Sequence, residues 1–168
     1  MRAPMLKEIA KRAVAEGFDA LRFNFRGVDG STGIHGDGRT EIHDIDAAVA
    51  HSTHLGIPLA GTAGWSFGAS VLLNWQAHTG SQAPYVGIAP PVQSPLTPDL
   101  PDPSDLAIGP RRFIIGERDQ FIPADELESY AMSISAETIR YKGTDHFFLL
   151  KHKRVADDVV ALMSDPTH

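Results

Sequence analysis

A serine, an aspartate and a histidine occur in that order along the chain, each in a short segment that a glycine opens. Ser66 lies in the pentapeptide GWSFG, Asp119 in GERDQ and His146 in GTDHF. A serine hydroxyl is barely ionised at neutral pH, so a base must take its proton during attack, and imidazole, with a pKa of about 6.5, suits that task. A carboxylate can then fix the imidazole tautomer and stabilise the imidazolium ion. These residue types predict nucleophilic catalysis, with Ser66 as nucleophile, His146 as base and Asp119 as the orienting acid.

Two other carboxylates compete for the role of the acid. Glu117 lies nearer the end of the preceding predicted strand, and Asp125 is expected inside the following helix. Each candidate also has an ordinary structural interpretation, because a loop histidine can bond a backbone carbonyl and an aspartate after a strand can hold a turn. Catalysis is favoured by the chain order of serine, acid and histidine, which belongs to one of three unrelated triad arrangements.

The serine segment has the sequence context that a nucleophile elbow requires. Residues 59–63 favour a strand, and residues 69–75 are strong helix formers with an apolar face. In a G-x-S-x-G pattern the serine stands on a strained strand-to-helix turn, and we expect Gly64 and Gly68 to flank it because a Cβ there would clash with the neighbouring chain. The helix start would direct free N–H groups and partial positive charge toward the serine. The alternative is an ordinary glycine-rich turn with a solvated serine.

Strands and helices alternate along the rest of the chain. Apolar periodicity predicts strands at 18–25, 59–63, 85–89, 112–115 and 138–141, and helices at 3–16, 40–54, 69–75, 125–133 and 147–163. This alternation predicts an α/β fold with a mostly parallel sheet of about five strands and helices on both faces. We expect a single domain over residues 1–168, in which the proline-rich stretch 91–110 is an ordered connector or a minimal cap.

The composition argues against several classes of protein. The 168 residues carry a formal net charge of −6 with Lys and Arg scattered, so no nucleic-acid-binding surface is indicated. There are no cysteines, which excludes a disulfide framework and a thiolate metal site. The longest apolar runs are far too short to span a bilayer, and no apolar segment follows the first residues. We therefore expect a cytoplasmic protein with no membrane partner.

The sequence also contains incomplete patterns for two other kinds of site, a dinucleotide site and a metal site. Loop 27–38 is rich in glycine, but its glycines lie beyond the strand end at which a dinucleotide fingerprint needs them. Four histidines lie close together in the sequence, so that a metal hydrolase is a formal alternative, although no ligand spacing such as H-E-x-x-H is present. These histidines are His35, His43, His51 and His54. We expect no cofactor and no metal.

Six segments together resemble the α/β-hydrolase superfamily, and within it the small, nearly cap-less bacterial hydrolases of the dienelactone-hydrolase and serine-esterase kind. They are LRFNFRG at 21–27, GSTG at 30–33, GWSFG at 64–68, APP at 89–91, GERD at 116–119 and DHFF at 145–148. The resemblance implies a serine hydrolase with Ser66, Asp119 and His146 as its triad and the backbone N–H of Phe67 as an oxyanion donor. The short proline-rich connector at 91–110 favours an open site and small or exposed acyl substrates. Four aromatic residues near these motifs could line an acyl pocket, although we expect at least two to pack in the core: Trp65, Phe67, Phe147 and Phe148.

The chain departs from this pattern at its front. Relatives carry further strands and an oxyanion loop before the helix that here opens the chain. They also have a central strand between the two that correspond to residues 18–25 and 58–63, and this strand has no counterpart in the sequence. Three explanations are open: the natural start lies upstream, the two flanking strands pair directly, or another chain supplies the edge pairing. We expect a truncated α/β-hydrolase fold that self-associates through its open sheet edge, with impaired activity, since losing one oxyanion donor costs about 10²–10³ in kcat. The alternative is a non-catalytic α/β-hydrolase-like protein that binds a small ligand or a partner.

Overall fold

A computed structural model describes residues 3–165 as a parallel sheet of four strands with five α-helices around it. The strands are β1 (Thr62–Trp65), β2 (Tyr85–Ile88), β3 (Arg111–Gly116) and β4 (Glu137–Tyr141), and they pair in the order β1-β2-β3-β4. The helices are α1 (Pro4–Ala15), α2 (Ile42–His54), α3 (Phe67–Thr79), α4 (Ala124–Ser133) and α5 (His152–Met163). The predicted α/β class is confirmed. The outermost residues of the predicted domain, 1–2 and 166–168, lie outside the described part of the chain.

The two faces of the sheet can be told apart at the start of β3. Successive side chains of a strand point to opposite faces, so Arg111 and Arg112 mark one face each. Arg111 Nε donates to Oε1 of Gln76 in α3 at 3.0 Å, whereas an Arg112 guanidinium N–H donates to the carbonyl of Asp158 in α5 at 2.6 Å. Helices α3 and α5 therefore cover opposite faces, and α1 packs against α5.

Apolar residues make the centre of the sheet a continuous core. All of β2 and all of β3 except Arg112 are buried, as is typical of parallel strands covered on both faces. Phe113, on the face of α3, packs edge-on against Tyr85 and against Tyr130 of α4, with ring centroids 5.7 and 6.0 Å apart. The sheet ends that carry the candidate site thus adjoin buried strands. Across residues 3–165, no helix combines the length and the apolarity needed to cross a bilayer.

The segment 18–25, predicted as a strand, has no regular secondary structure, so the sheet has four strands instead of about five. Its alternating apolar side chains are only partly covered, and Leu21 is 53% exposed. The prediction was wrong because alternation reports which side chains face a core, whereas a strand also needs a hydrogen-bonding neighbour. Direct pairing of this segment with β1, one of the three explanations for the missing strand, is not what the structure shows.

One edge of β1 is left unpaired by this arrangement. The N–H groups of Thr62 and Ser66 donate toward β2 at 2.8 Å each. By the alternation of a strand, the backbone groups of Ala63 and Trp65 face the other way, where nothing in residues 3–165 is hydrogen-bonded to them. Open edges recruit partners. Self-association through this edge stays a prediction.

The last helix begins later than its sequence predicts. Residues 147–151 form turns, and α5 starts at His152 instead of near 147. Two residues of this stretch, Phe148 and Leu150, have positive φ values of 50° and 64°, which a right-handed helix cannot contain. Phe148 is fully buried, with its ring 5.6 Å from that of Tyr141. The apolar pattern of this stretch thus reports the burial of Phe148 in the core and not a helix.

The proline-rich stretch 91–110 lies against the helices of one face. The Asn74 side chain of α3 donates to the carbonyl of Asp99 at 2.9 Å, and the Tyr130 hydroxyl of α4 donates to that of Pro101 at 2.8 Å. Leu100 is buried between these contacts. These bonds tie the stretch to α3 and α4, and its interpretation as an ordered connector or a minimal cap stays a prediction.

Candidate active site

Ser66 occupies the turn between β1 and α3. Its backbone has φ 52° and ψ −122°, in a region that residues other than glycine rarely adopt. The Ser66 N–H donates to the carbonyl of Ile88 at 2.8 Å, and its own carbonyl accepts the N–H groups of Ala69 and Ser70. The sheet therefore holds one side of the turn and the first turn of α3 holds the other, so that the serine stays in a strained conformation at the end of β1.

Only one of the two flanking glycines is required by a close contact. A Cβ on Gly64 would stand 2.6 Å from the nitrogen of Ala69 and 2.7 Å from the carbonyl carbon of Gly68, both of them backbone atoms. A Cβ on Gly68, outside its own helix, would meet only a ring carbon of Phe25 at 3.7 Å, which is an ordinary contact. The expectation that a Cβ would clash is therefore right for Gly64 and wrong for Gly68.

The start of α3 leaves a backbone donor beside the serine. Phe67 is the first residue of the helix, and its N–H makes no hydrogen bond within residues 3–165. Such N–H groups lack an intrahelical partner and carry part of the helix's positive charge. The Ser66 hydroxyl also has no hydrogen-bond partner in this part of the chain, so it is not bonded to His146. Catalytic hydrogen bonds are often long before substrate binds.

Asp119 and His146 meet directly. His146 Nδ1 lies 2.8 Å from Asp119 Oδ2, while Asp119 Oδ1 accepts the backbone N–H groups of Phe121 and Ile122 at 2.9 and 3.0 Å. The Asp119 side chain is 0% exposed and that of His146 is 6% exposed. A buried carboxylate beside Nδ1 favours the tautomer with its proton on that atom. The lone pair on Nε2 is then free to accept a proton.

The two competing carboxylates have other partners. Glu117 Oε2 accepts the backbone N–H of Gly143 at 2.7 Å, and the Asp125 carboxylate pairs with the guanidinium of Arg140. Neither is bonded to His146. Of the three acids that the sequence left open, the structure brings only Asp119 to the histidine.

A glycine lets the loops of Asp119 and His146 approach each other. A Cβ on Gly116 would collide with the carbonyl oxygen of Thr144 and would stand 2.8 Å from that of Asp145. Next to it, the Arg118 N–H donates to the same Thr144 carbonyl at 2.9 Å. The loop after β3 and the loop after β4 are therefore joined backbone to backbone, and this contact sets the distance between the acid and the base.

Three aromatic rings surround the imidazole of His146. The rings of Trp65, Phe121 and Phe147 have their centroids 5.6, 5.1 and 5.7 Å from it, and the Trp65 indole N–H donates to the His146 carbonyl at 3.2 Å. Of the four aromatic residues that the sequence singled out, Phe148 is buried in the core, and Phe67 packs in a second apolar cluster between α2 and α3. The sequence analysis did not predict a role for Phe121, although its position in the same loop as a candidate acid is a signal that could have found it.

The glycine-rich loop is held by a carboxylate that the sequence did not single out for this role. The oxygens of Glu41 accept the N–H groups of Gly36 and Gly38 at 2.7 and 2.9 Å, and its side chain is 0% exposed. Burial would raise the pKa of Glu41, but the N–H groups of Gly36, of Glu41 itself and of Gly38, together with nearby His35, outweigh burial and lower it below its usual value. His35 also lies 5.0 Å from the Phe67 ring, centroid to centroid. Loop 27–38 is thus tied down by Glu41 next to the elbow.

The four histidines do not assemble into a metal site. Among residues 3–165, no three His, Asp or Glu side chains stand close enough together to hold a metal ion. The metal-hydrolase alternative therefore gains no support from where these side chains lie.

Comparison with known proteins finds similarity in sequence to one protein and in fold to several solved structures. No family model matches the sequence. An uncharacterized protein of Rickettsia prowazekii (strain Madrid E) is 28% identical over 171 residues, covering 94% of this chain and 71% of that protein. A solved α/β serine hydrolase homologue from Coxiella burnetii has a TM-score of 0.81 at 25% identity, over 96% of this chain and 76% of its own. An α/β serine hydrolase without a lid from Xanthomonas campestris has a TM-score of 0.82 at 24% identity, over 96% and 73% of the two chains. This similarity extends over almost the whole length of the chain and supports the assignment to the α/β-hydrolase superfamily that the six sequence segments predicted.

Proposed function

We propose that the chain is a serine hydrolase that cleaves small acyl esters through an acyl-enzyme. Ser66 is the nucleophile, His146 the general base and acid, and Asp119 the carboxylate that orients the imidazole. One observation carries the proposal: His146 Nδ1 lies 2.8 Å from the buried Asp119 carboxylate, and His146 contacts Trp65, the residue before a serine held at positive φ on a strand-to-helix turn. Hydrolase activity in general is also supported by the serine hydrolase homologue that shares the fold.

The steps follow from the positions of these groups. Ser66 Oγ attacks the carbonyl carbon of the ester while His146 Nε2 accepts the hydroxyl proton, and Asp119 stabilises the resulting imidazolium ion. The electron pair of the carbonyl moves to its oxygen, which accepts the N–H of Phe67. When the tetrahedral intermediate collapses, the C–O bond to the alcohol breaks and the alcohol takes the proton from Nε2. Water, activated by His146 in the same way, then releases the acid and restores Ser66.

The rate depends on how many donors reach the oxyanion. Phe67 supplies one N–H at the elbow, and the resemblance implies that a second comes from a loop ahead of the first helix. Losing one such donor costs about 10²–10³ in kcat. We therefore propose that the N–H of Phe67 contributes a rate factor of about this size at the oxyanion step.

A fluorophosphonate probe tests the nucleophile without knowledge of the substrate. Purified protein is treated with the probe, and any adduct is located by mass spectrometry. We expect labelling at Ser66, and we expect Ser66→Ala and His146→Ala to abolish it, because the first removes the nucleophile and the second removes its base. Ser129→Ala is the matched control, since this serine lies exposed on α4 and donates only to the carbonyl of Asp125.

A second candidate function is that of a non-catalytic ligand-binding protein. The observation in its favour is that the Ser66 hydroxyl makes no hydrogen bond to His146. A well-folded sample in which Ser66 resists the probe would refute the hydrolase and support this alternative. Labelling that persists in His146→Ala would refute the role of His146 as the base.

A further inference from the structure

Two of the three rings around His146 are open to solvent. Phe121 is 62% exposed and Phe147 is 49% exposed. Their rings stand nearly perpendicular to each other at 87°, with centroids 6.3 Å apart, and each meets the imidazole edge-on. Neighbouring exposed aromatic side chains can bind other molecules. The two phenylalanines form an angled apolar surface directly beside the candidate base.

Hydrogen bonds hold the backbone of both residues in place. The Phe121 N–H donates to Asp119 Oδ1 at 2.9 Å, and the Phe147 N–H donates to Asp145 Oδ1 at 3.0 Å. Trp65, the residue before Ser66, closes the inner side, with its ring 6.2 Å from that of Phe147. The surface is therefore built on the two loops that carry the acid and the base, and these hydrogen bonds fix the backbone from which both rings project.

The position of this surface decides which part of a substrate it would meet. In acyl transfer, the imidazole gives its proton to the departing oxygen, so groups packed around the imidazole adjoin the leaving group. The acyl oxygen lies instead toward the helix start at Phe67. Side chains that contact the ring of His146 are consequently placed to select the alcohol and not the acid.

We propose that Phe121 and Phe147 form a leaving-group site for a flat, aryl-bearing alcohol. This inference rests on the proposed serine hydrolase function and deepens it by naming the class of alcohol. A planar ring fits two perpendicular rings because it can stack on one and meet the edge of the other. A saturated group of similar size has the same apolar area but lacks this geometry.

Two matched series of esters test the proposal. In the first, one acyl group is joined to benzyl alcohol or to cyclohexylmethanol, so that the leaving groups differ mainly in aromaticity. In the second, ethyl phenylacetate and ethyl cyclohexylacetate vary the acid at a constant alcohol. We expect kcat/KM to favour the benzyl ester, and we expect Phe121→Leu or Phe147→Leu to reduce that preference by about 2- to 10-fold, the range that one aromatic pair supplies.

The preference ratio separates a binding role from a structural one. If the leucine variants only disturb His146, both benzyl and cyclohexylmethyl esters lose rate equally, and the proposal is overturned. It is also overturned if the variants change selectivity in the acid series instead. Phe121→Tyr should keep the preference because the ring remains, and Ile108→Ala should leave all four rates unchanged, since this residue is 92% exposed on the connector.

The last measurement distinguishes a failure of the hydrolase function from a failure of the aryl site. Fluorophosphonate labelling of Ser66 reports whether the hydrolase function holds. If Ser66 is not labelled, benzyl alcohol and cyclohexylmethanol are titrated into the protein, and the amide NMR signals of Phe121 and Phe147 are followed. A preferential shift with benzyl alcohol supports the aryl site in a protein that is not a hydrolase. Equal or absent shifts refute the aryl site.

Discussion

Replacing Asp119 by asparagine separates two tasks that the carboxylate performs. Oδ1 holds the loop by accepting the N–H groups of Phe121 and Ile122, and an asparagine carbonyl oxygen can take its place. Oδ2 faces Nδ1 of His146 at 2.8 Å, and an amide NH₂ group there can only donate. Asp119→Asn therefore favours the tautomer with its proton on Nε2, which cannot accept the Ser66 proton.

The expected magnitudes differ sharply between activity and stability. The wrong tautomer lowers kcat by about 10⁴-fold in a serine triad. Stability falls much less, by about 1–3 kcal/mol, because hydrogen bonds to a charged acceptor become bonds to a neutral amide while the loop stays tied. For a domain of this length the melting temperature then drops by roughly 3–10 °C.

The assay is the rate of fluorophosphonate labelling at Ser66, with thermal unfolding by circular dichroism on the same samples. Asp125→Asn is the matched control, because this exposed carboxylate pairs with Arg140 and does not reach His146. Asp119→Ala should lose both labelling and more stability than Asp119→Asn, since two backbone donors then lose their acceptor. The reasoning is refuted if Asp119→Asn labels within tenfold of the parent, or if Asp125→Asn slows labelling as strongly.

Two further predictions concern the elbow and the loop beside it. Gly64→Ala should prevent stable folding or abolish labelling, because its Cβ would stand 2.6 Å from the backbone nitrogen of Ala69. Gly68→Ala should instead fold with a melting temperature near that of the parent. Equal unfolding curves for the two variants would contradict this difference. Glu41, whose pKa is lowered in the folded protein, contributes stability that is fully present above its unfolded pKa of about 4.3 and is lost as the pH falls through the folded value. Glu41→Gln should therefore be less stable at neutral pH, and its unfolding free energy should depend less steeply on pH in acid. Urea titrations at several pH values measure both effects. Identical pH slopes for the variant and the parent would refute the role of Glu41.

The sequence was informative where function depends on the order of elements. The alternation of strands and helices predicts Ser66, Asp119 and His146 in loops that follow strands, and the three residues follow β1, β3 and β4. The choice of Asp119 over Glu117 could not be made as firmly from the sequence. It depends on how closely the two loops approach, and Gly116 permits that approach by lacking a Cβ that would meet the carbonyls of the histidine loop.

The sequence was misleading where a local pattern needs a distant partner. Residues 18–25 have the alternation of a strand but find no neighbour in the sheet. Residues 147–151 have the apolar spacing of a helix but turn instead, with Phe148 buried and at a positive φ. Phe121 was overlooked for a related reason, because only the folded loops bring its ring to His146.

The acid and the base of the proposed triad are held by more hydrogen bonds than the nucleophile. The position of Ser66 is therefore the feature that would limit activity. Asp119 and His146 are bonded to each other, and their loops are tied together through Arg118 and Thr144. Ser66 instead follows β1, an edge strand whose outer backbone groups are unpaired within residues 3–165. The acid–base pair is therefore complete without any partner for β1, whereas the position of the nucleophile depends on the less supported edge. It follows that a strand added to β1 would alter labelling of Ser66 through the elbow more than it would alter the contact between His146 and Asp119, which has loop bonds of its own.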